Sequence, residues 1–187
     1  MQTLESKKYS LEKALTYIDK EIKIKNQDNL LNSLSLKLSI FEEIGESADV
    51  IKVSSQILKS FPNNERALYS RALAYEKEGN ILSMSKDFDK MIKLNKYNSI
   101  ALNAYGYSLA LQNLHLDKSE KLIRKALDIR PGQAAILDSL AWVLYLKGSY
   151  KEAAKYSSLA YSKDQDPEIV EHHYLILLKN GNSNEAK

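Results

Sequence analysis

The chain has 187 residues, 27 Lys+Arg against 24 Asp+Glu for a formal net charge of +3, a 44% hydrophobic share and no cysteine. Such a length suits one compact domain or a run of small units sharing a core. The absence of cysteine excludes a disulfide scaffold, a thiolate zinc site and a cysteine nucleophile, while interspersed charges of both signs argue against a dedicated nucleic-acid binder.

In chain order, Leu11, Ala14, Leu15, Ile18 and Ile22 form the first apolar stripe, read as a half-unit over 9–25 and followed by a polar break at 26–29. Four helical pairs are then expected, over 29–62, 65–96, 99–131 and 134–166. The second carries Leu68, Ala72 and Tyr75, then Leu82, Met84, Phe88, Met91 and Ile92. The third carries Leu102, Tyr105, Gly106 and Leu109, then Leu122, Ile123, Ala126, Leu127 and Ile129. The fourth carries Leu137, Leu140, Ala141 and Leu144, then Ala153, Ala154, Tyr156 and Ala160. A terminal half-unit over 167–187 opens at Pro167 with Val170, Tyr174 and Leu177 inward, and Ala186 falls where the next second helix would start. Steps of three and four set each series on one stripe of a 3.6-residue helix. No run of about 18 apolar residues offers a spanning helix, and residues 1–8 lack the apolar stretch of a secretory signal.

The punctuation is periodic. Gly45 and Gly79 are 34 apart, Gly79 and Gly148 are 69 apart, Gly148 and Gly181 are 33 apart, and Pro62 and Pro131 are 69 apart. Asn113 and Lys96 stand where a further glycine and proline would keep the period. Glycine suits the left-handed residue that ends a first helix, and proline closes the second. Small residues at Ala72, Gly106, Ala126, Ala141 and Ala160 are expected where the two helices of a pair cross closely.

Leu102-x2-Tyr105-Gly106-x2-Leu109, then Ser119-x3-Ile123, Ala126 and Pro131, resemble the tetratricopeptide repeat. Leu137-x2-Leu140-Ala141-x2-Leu144 with Gly148, Ala153 and Ala160 resembles it again, and Leu68-x2-Arg71-Ala72-x2-Tyr75 with Gly79 and Phe88 is a looser copy. The resemblance implies an all-α, right-handed superhelical solenoid of stacked helix-turn-helix units, whose first helices line a concave groove. Residues 101–110, 116–127 and 135–145 are also similar to the C-terminal repeats of bacterial outer-membrane lipoproteins of this family, some of them adaptors for a carboxyl-terminal-processing protease. That likeness implies a periplasmic, lipid-anchored parent protein.

At about 100° per residue, Asp138, Trp142 and Tyr145 form a stripe away from the core stripe of their helix. The equivalent stripes are Asn103, Tyr107 and Ala110 before it, Tyr69, Leu73 and Glu76 earlier still, and Glu171, Leu175 and Leu178 after it. Tyr69, Asn103, Tyr107, Asp138, Trp142 and Tyr145 are therefore the candidate partner-binding residues, suited to an extended peptide or a partner's helix. The competing reading packs Trp142 between units as core. The Lys-and-Asn clamp that some of these repeats use for acidic tails is not matched by Tyr69, Leu73, Asn103 and Ala104.

No catalytic residues are assigned. Ser139 beside Asp138 has no histidine within its unit, and no Gly-rich phosphate loop is present. Glu168 and His172 lie four apart on one helix face, but His173 points about 100° away, so no metal site and no cofactor are expected; the pair reads as a polar helix face with one histidine near the core. His115 is expected exposed, and 20–25 and 117–125 read as solvated charged faces. The expectation is a non-catalytic scaffold or adaptor binding a protein or peptide segment, without nucleic acid and without membrane insertion. Two alternatives stand beside it: a self-assembling module joined end to end through open helix faces, or the regulatory repeat region of a longer enzyme.

Overall fold

The computed structural model describes residues 4–23 and 27–181; the expectation for Ala186 lies outside them, as do parts of the segments 9–25 and 167–187. Among the described residues the secondary structure is wholly helical. The helices are α1 (Leu4–Lys23), α2 (Gln27–Ile44), α3 (Ser47–Ser60), α4 (Glu65–Lys77), α5 (Ile81–Leu94), α6 (Ser99–Leu111), α7 (Leu116–Ile129), α8 (Ala134–Leu146), α9 (Tyr150–Lys163) and α10 (Pro167–Lys179). No helix is long and apolar enough to cross a membrane among the described residues.

One turn recurs between the first and second helix of each pair. The amide of Asn80 donates to the Tyr75 carbonyl at 2.8 Å, that of Leu114 to Leu109 at 2.9 Å and that of Ser149 to Leu144 at 2.9 Å, each spanning five residues. A shorter bond lies inside each, such as Gly148 N–H to the Tyr145 carbonyl at 2.9 Å. This six-to-one closure requires a left-handed residue. Gly79 (φ 68°), Asn113 (φ 51°) and Gly148 (φ 79°) supply it. Asparagine tolerates that region better than other residues with a Cβ. At the other end of the pair, the side chains of Asn64 and Asn98, 34 residues apart, accept from the amides of Ala67 and Ala101 and cap α4 and α6.

The chain divides into two compact units, Met1–Asp89 and Lys90–Lys187. In the first, Leu34, Leu38, Phe41, Val53, Ile57 and Ala67 build the core of α2, α3 and α4. Arg71 on α4 grips the buried Asp87 on α5 through two bonds of 2.8 Å, and donates a third to Ser55 on α3 at 2.9 Å. In the second unit, Leu102, Ile123, Leu140, Val143, Ala153 and Ile176 join α6 through α10 in one core. Here α6 and α7 cross closely at Gly106, where a Cβ would stand 2.5 Å from Ile123 Cγ1 and 2.9 Å from the Ser119 carbonyl. Ser119 donates its hydroxyl to the Gly106 carbonyl at 2.6 Å across the same crossing.

Two expected stripes are corrected. Leu82 is 68% exposed. The inward stripe of α5 is Met84, Phe88 and Met91, at steps of four and three, and Leu82 precedes it by two residues, about 200° away. On α10 the inward residues are Ile169, His172, Ile176 and Leu177, while Val170 and Tyr174 are exposed. Leu177 is inward as expected, whereas Ile169, His172 and Ile176 take the inward places expected for Val170 and Tyr174.

Candidate functional site

Three helices of the second unit contribute to one cluster. On α8, Asp138, Trp142 and Tyr145 share a face at steps of four and three, as do Asn103 and Tyr107 on α6, and Glu168 and His172 on α10. Asn103, Asp138 and His172 are one repeat position seen three times, separated by 35 and 34 residues. The expected α10 equivalents Glu171 and Leu178 are instead exposed.

Asp138 is only 4% exposed, and its Oδ2 lies 2.8 Å from His172 Nδ1. The imidazole lies flat on the Trp142 indole, with centroids 4.1 Å apart and planes at 14°. Tyr145 stacks on the same indole at 5.1 Å and 16°. Tyr107 donates its hydroxyl to Glu168 and tilts toward His172 at 6.2 Å. Trp142 is half-buried and packs against the core of this unit. Its packing against the core agrees with the reading that seats it between units, and its half-exposure leaves part of the ring at the surface.

A cavity of about 350 Å³ opens beside the cluster, lined by Asn103, Tyr107, Ala135, Asp138, Ser139, Asp164, Asp166, Glu168 and Ile169. Three buried polar atoms of the cluster have no hydrogen-bond partner: Asn103 Oδ1, Asp138 Oδ1 and Trp142 Nε1. Burial pushes the Asp138 carboxyl above its ordinary value, and the charges of Glu168 and Asp166 push it further, against the opposing hydrogen bond and charge of His172.

Five of the six candidate residues thus come together in this unit. Tyr69 belongs to the other one, where it meets the Phe88 ring edge-on at 6.2 Å and lines a cavity of about 270 Å³ with Phe41, Glu42, Leu73 and Lys77. Burial raises its phenol pKa, as does the charge of Glu76. His172 was not among the candidates; its spacing of 34 from Asp138 is the signal that marks it. Ser139 donates its hydroxyl to the Ala135 carbonyl at 2.8 Å within its own helix. His173 Nδ1 faces the Ser157 hydroxyl at 3.0 Å. Among the described residues no group of three or more His, Asp or Glu is placed to hold a metal ion. His115 is exposed and takes a left-handed conformation at the start of α7.

No model of a known protein family matches the chain. Over 115 residues, 62% of its length, it is 35% identical to a TPR repeat-containing protein of Pseudomonas aeruginosa. It spans about 20% of that relative's length. Among solved structures it is similar to a tetratricopeptide repeat protein from Parabacteroides merdae, with a TM-score of 0.80 at 16% identity over 96% of this chain and 71% of that one. It is also similar to PilW, a type IV pilus biogenesis factor, with a TM-score of 0.78 at 16% identity over 96% and 83% of the two chains. A thermophilic TPR protein from Thermus thermophilus gives 0.71 at 19% identity over 83% and 84%. The 34-residue helical pairs, their shared turn and these likenesses agree: the chain is built of tetratricopeptide repeats, an all-α repeat fold.

Proposed function

We propose that the chain is a non-catalytic interaction scaffold that holds an extended peptide segment or a partner's helix against α6, α8 and α10. The observation that carries this reading is the recurrence of one repeat position as Asn103, Asp138 and His172, with Tyr107, Trp142 and Tyr145 beside it and a cavity alongside. Aromatic rings supply contact area at little entropic cost, and amide and carboxyl groups fix polar atoms of a bound chain. The relatives' repeat architecture supports the reading. The similarity to repeats of outer-membrane lipoproteins extends it to the delivery of substrates to a periplasmic protease.

Selection of random displayed peptides on the immobilised chain tests the proposal. The wild type is expected to enrich binders, and Asn103→Ala/Tyr107→Ala, confirmed folded by circular dichroism, to lose at least about tenfold in affinity, the scale of one well-placed contact. Equal binding by the double variant overturns it.

A second reading, self-association, is favoured by the outer face of α10. There Val170, Tyr174 and Leu178, spaced by four, are 39%, 46% and 42% exposed. Light scattering of wild type against Tyr174→Lys/Leu178→Lys decides it; a strict monomer at high concentration removes this reading.

A further inference from the structure

We propose that the cavity beside Asp138 is a seat for a basic side chain, arginine or lysine, carried by the bound protein segment; this rests on the reading of α6, α8 and α10 as a capture surface. Four of the nine residues lining the cavity are carboxylic acids, Asp138, Asp164, Asp166 and Glu168, and none is a lysine or arginine. The acidic cluster alone would be a solvated feature of the α9–α10 link. The deciding observation is Asp138, 4% exposed, with Oδ2 committed to His172 and Oδ1 in the buried wall without any partner. A second buried acceptor without a partner, Asn103 Oδ1, borders the same cavity from α6.

A buried acceptor left unmatched costs about 1–3 kcal/mol, more when charged, so the site is built to receive a donor. Two acceptors on different helices call for a group with several N–H donors, and guanidinium has five and ammonium three. The volume, about 350 Å³, admits a side chain rather than a bare ion. The carboxylates are also not arranged as a metal-binding group among the described residues. Tyr107, Ala135 and Ile169 give the aliphatic stem an apolar wall while the cationic head meets the acids. Two of the acids are already held in place: Asp166 Oδ1 accepts from the Glu168 amide at 3.0 Å, and Asp164 Oδ1 from the Asp166 amide at 3.2 Å. Their charges are therefore fixed at the mouth before any ligand arrives, so a cation meets a negative field without reorganisation.

The probes are acetyl-arginine-amide and acetyl-lysine-amide, titrated into the full chain and followed by the Asn103 side-chain amide and the Trp142 indole N–H in NMR spectra. The expected result is saturable shifts at both groups with a millimolar dissociation constant, and no such shift with acetyl-norleucine-amide. Affinity is expected to fall at least about tenfold in Asp138→Asn and in Asp164→Asn/Asp166→Asn. The second variant removes two charges while its amide oxygens still accept the capping N–H bonds, so it keeps the test valid should Asp138→Asn fold poorly. Equal shifts with the norleucine probe, or no shift with either basic probe at about 100 mM, overturn the seat. Displayed peptides that bind the wild type and Asp164→Asn/Asp166→Asn equally also overturn it, and leave peptide capture standing. Probe binding that meets expectation, with no displayed peptide enriched, supports the seat and sinks peptide capture.

Discussion

His172 on α10 and Asp138 on α8 face each other at 2.8 Å from positions 34 residues apart, so the same repeat position pairs with itself across successive hairpins. The carboxyl is held above its ordinary value of 3.8, first by burial and then by Glu168 and Asp166, with His172 opposing. The folded chain therefore holds this proton more tightly than the unfolded one. Its contribution to stability is fully present below 3.8 and is lost as pH rises through the raised value. Asp138→Asn removes that dependence. Thermal midpoints of the two proteins from about pH 3 to 7 should show the wild type losing ground to the variant as pH rises. A wild type that gains instead means that the His172 contact outweighs burial.

Arg71 and Asp87 form a bidentate pair, with Asp87 5% exposed. Arg71→Met leaves that carboxylate buried and alone, at a cost of about 3–5 kcal/mol. Adding Asp87→Leu should recover most of the loss, because apolar groups of similar volume replace a buried pair at little net cost. Urea unfolding checks both variants. A double variant as unstable as the single one would locate the cost in packing.

Gly106→Ala and Gly148→Ala should both destabilise, for different reasons. At Gly106 the added Cβ meets Ile123 Cγ1 and the Ser119 carbonyl, forcing α6 and α7 apart at about 1–3 kcal/mol. At Gly148 nothing lies within 4 Å of the added carbon, and the penalty of about 1–2 kcal/mol comes from its φ of +79°. Ile123→Ala, which removes Cγ1, should couple favourably with the first substitution by about 1 kcal/mol and not with the second. Equal coupling in both cycles would refute the assignment.

Trp142 is the only tryptophan of the chain, stacked with both His172 and Tyr145. Because it is half-buried, Trp142→Ala should cost about 2 kcal/mol, below the 3–5 kcal/mol of a fully enclosed ring. Chemical unfolding followed by circular dichroism measures it. A loss under about 0.5 kcal/mol, the range of a plain surface change, would mean that the stack does not hold α8 to α10.

The helices and turns were legible because their signals are local. Asn113 stands where the period asks for a glycine, and it adopts the left-handed conformation that explains the substitution. The alternation of Leu102, Tyr105, Gly106 and Leu109 sufficed to orient α6, and all four are buried. What escaped reading was long-range polar pairing. His172 occupies an inward position that the apolar stripe of Val170, Tyr174 and Leu177 does not include. Asp138 is likewise polar and enclosed, and each makes the other tolerable. No single-helix pattern can register a partner 34 residues away. The candidate residues Asn103, Tyr107, Asp138, Trp142 and Tyr145 share one face at recurring helical positions and could be named together, whereas Asp164 and Asp166, which line the same cavity, lie in a link that carries no helical period.

The α6–α7, α8–α9 and α8–α10 contacts join helices that are adjacent or next-adjacent in the chain. Search distances during folding are correspondingly short, so the entropic toll of bringing these segments together should stay small. Injury should stay where it is made. Amide exchange in a weakened hairpin would quicken there first, while turns further along keep their protection.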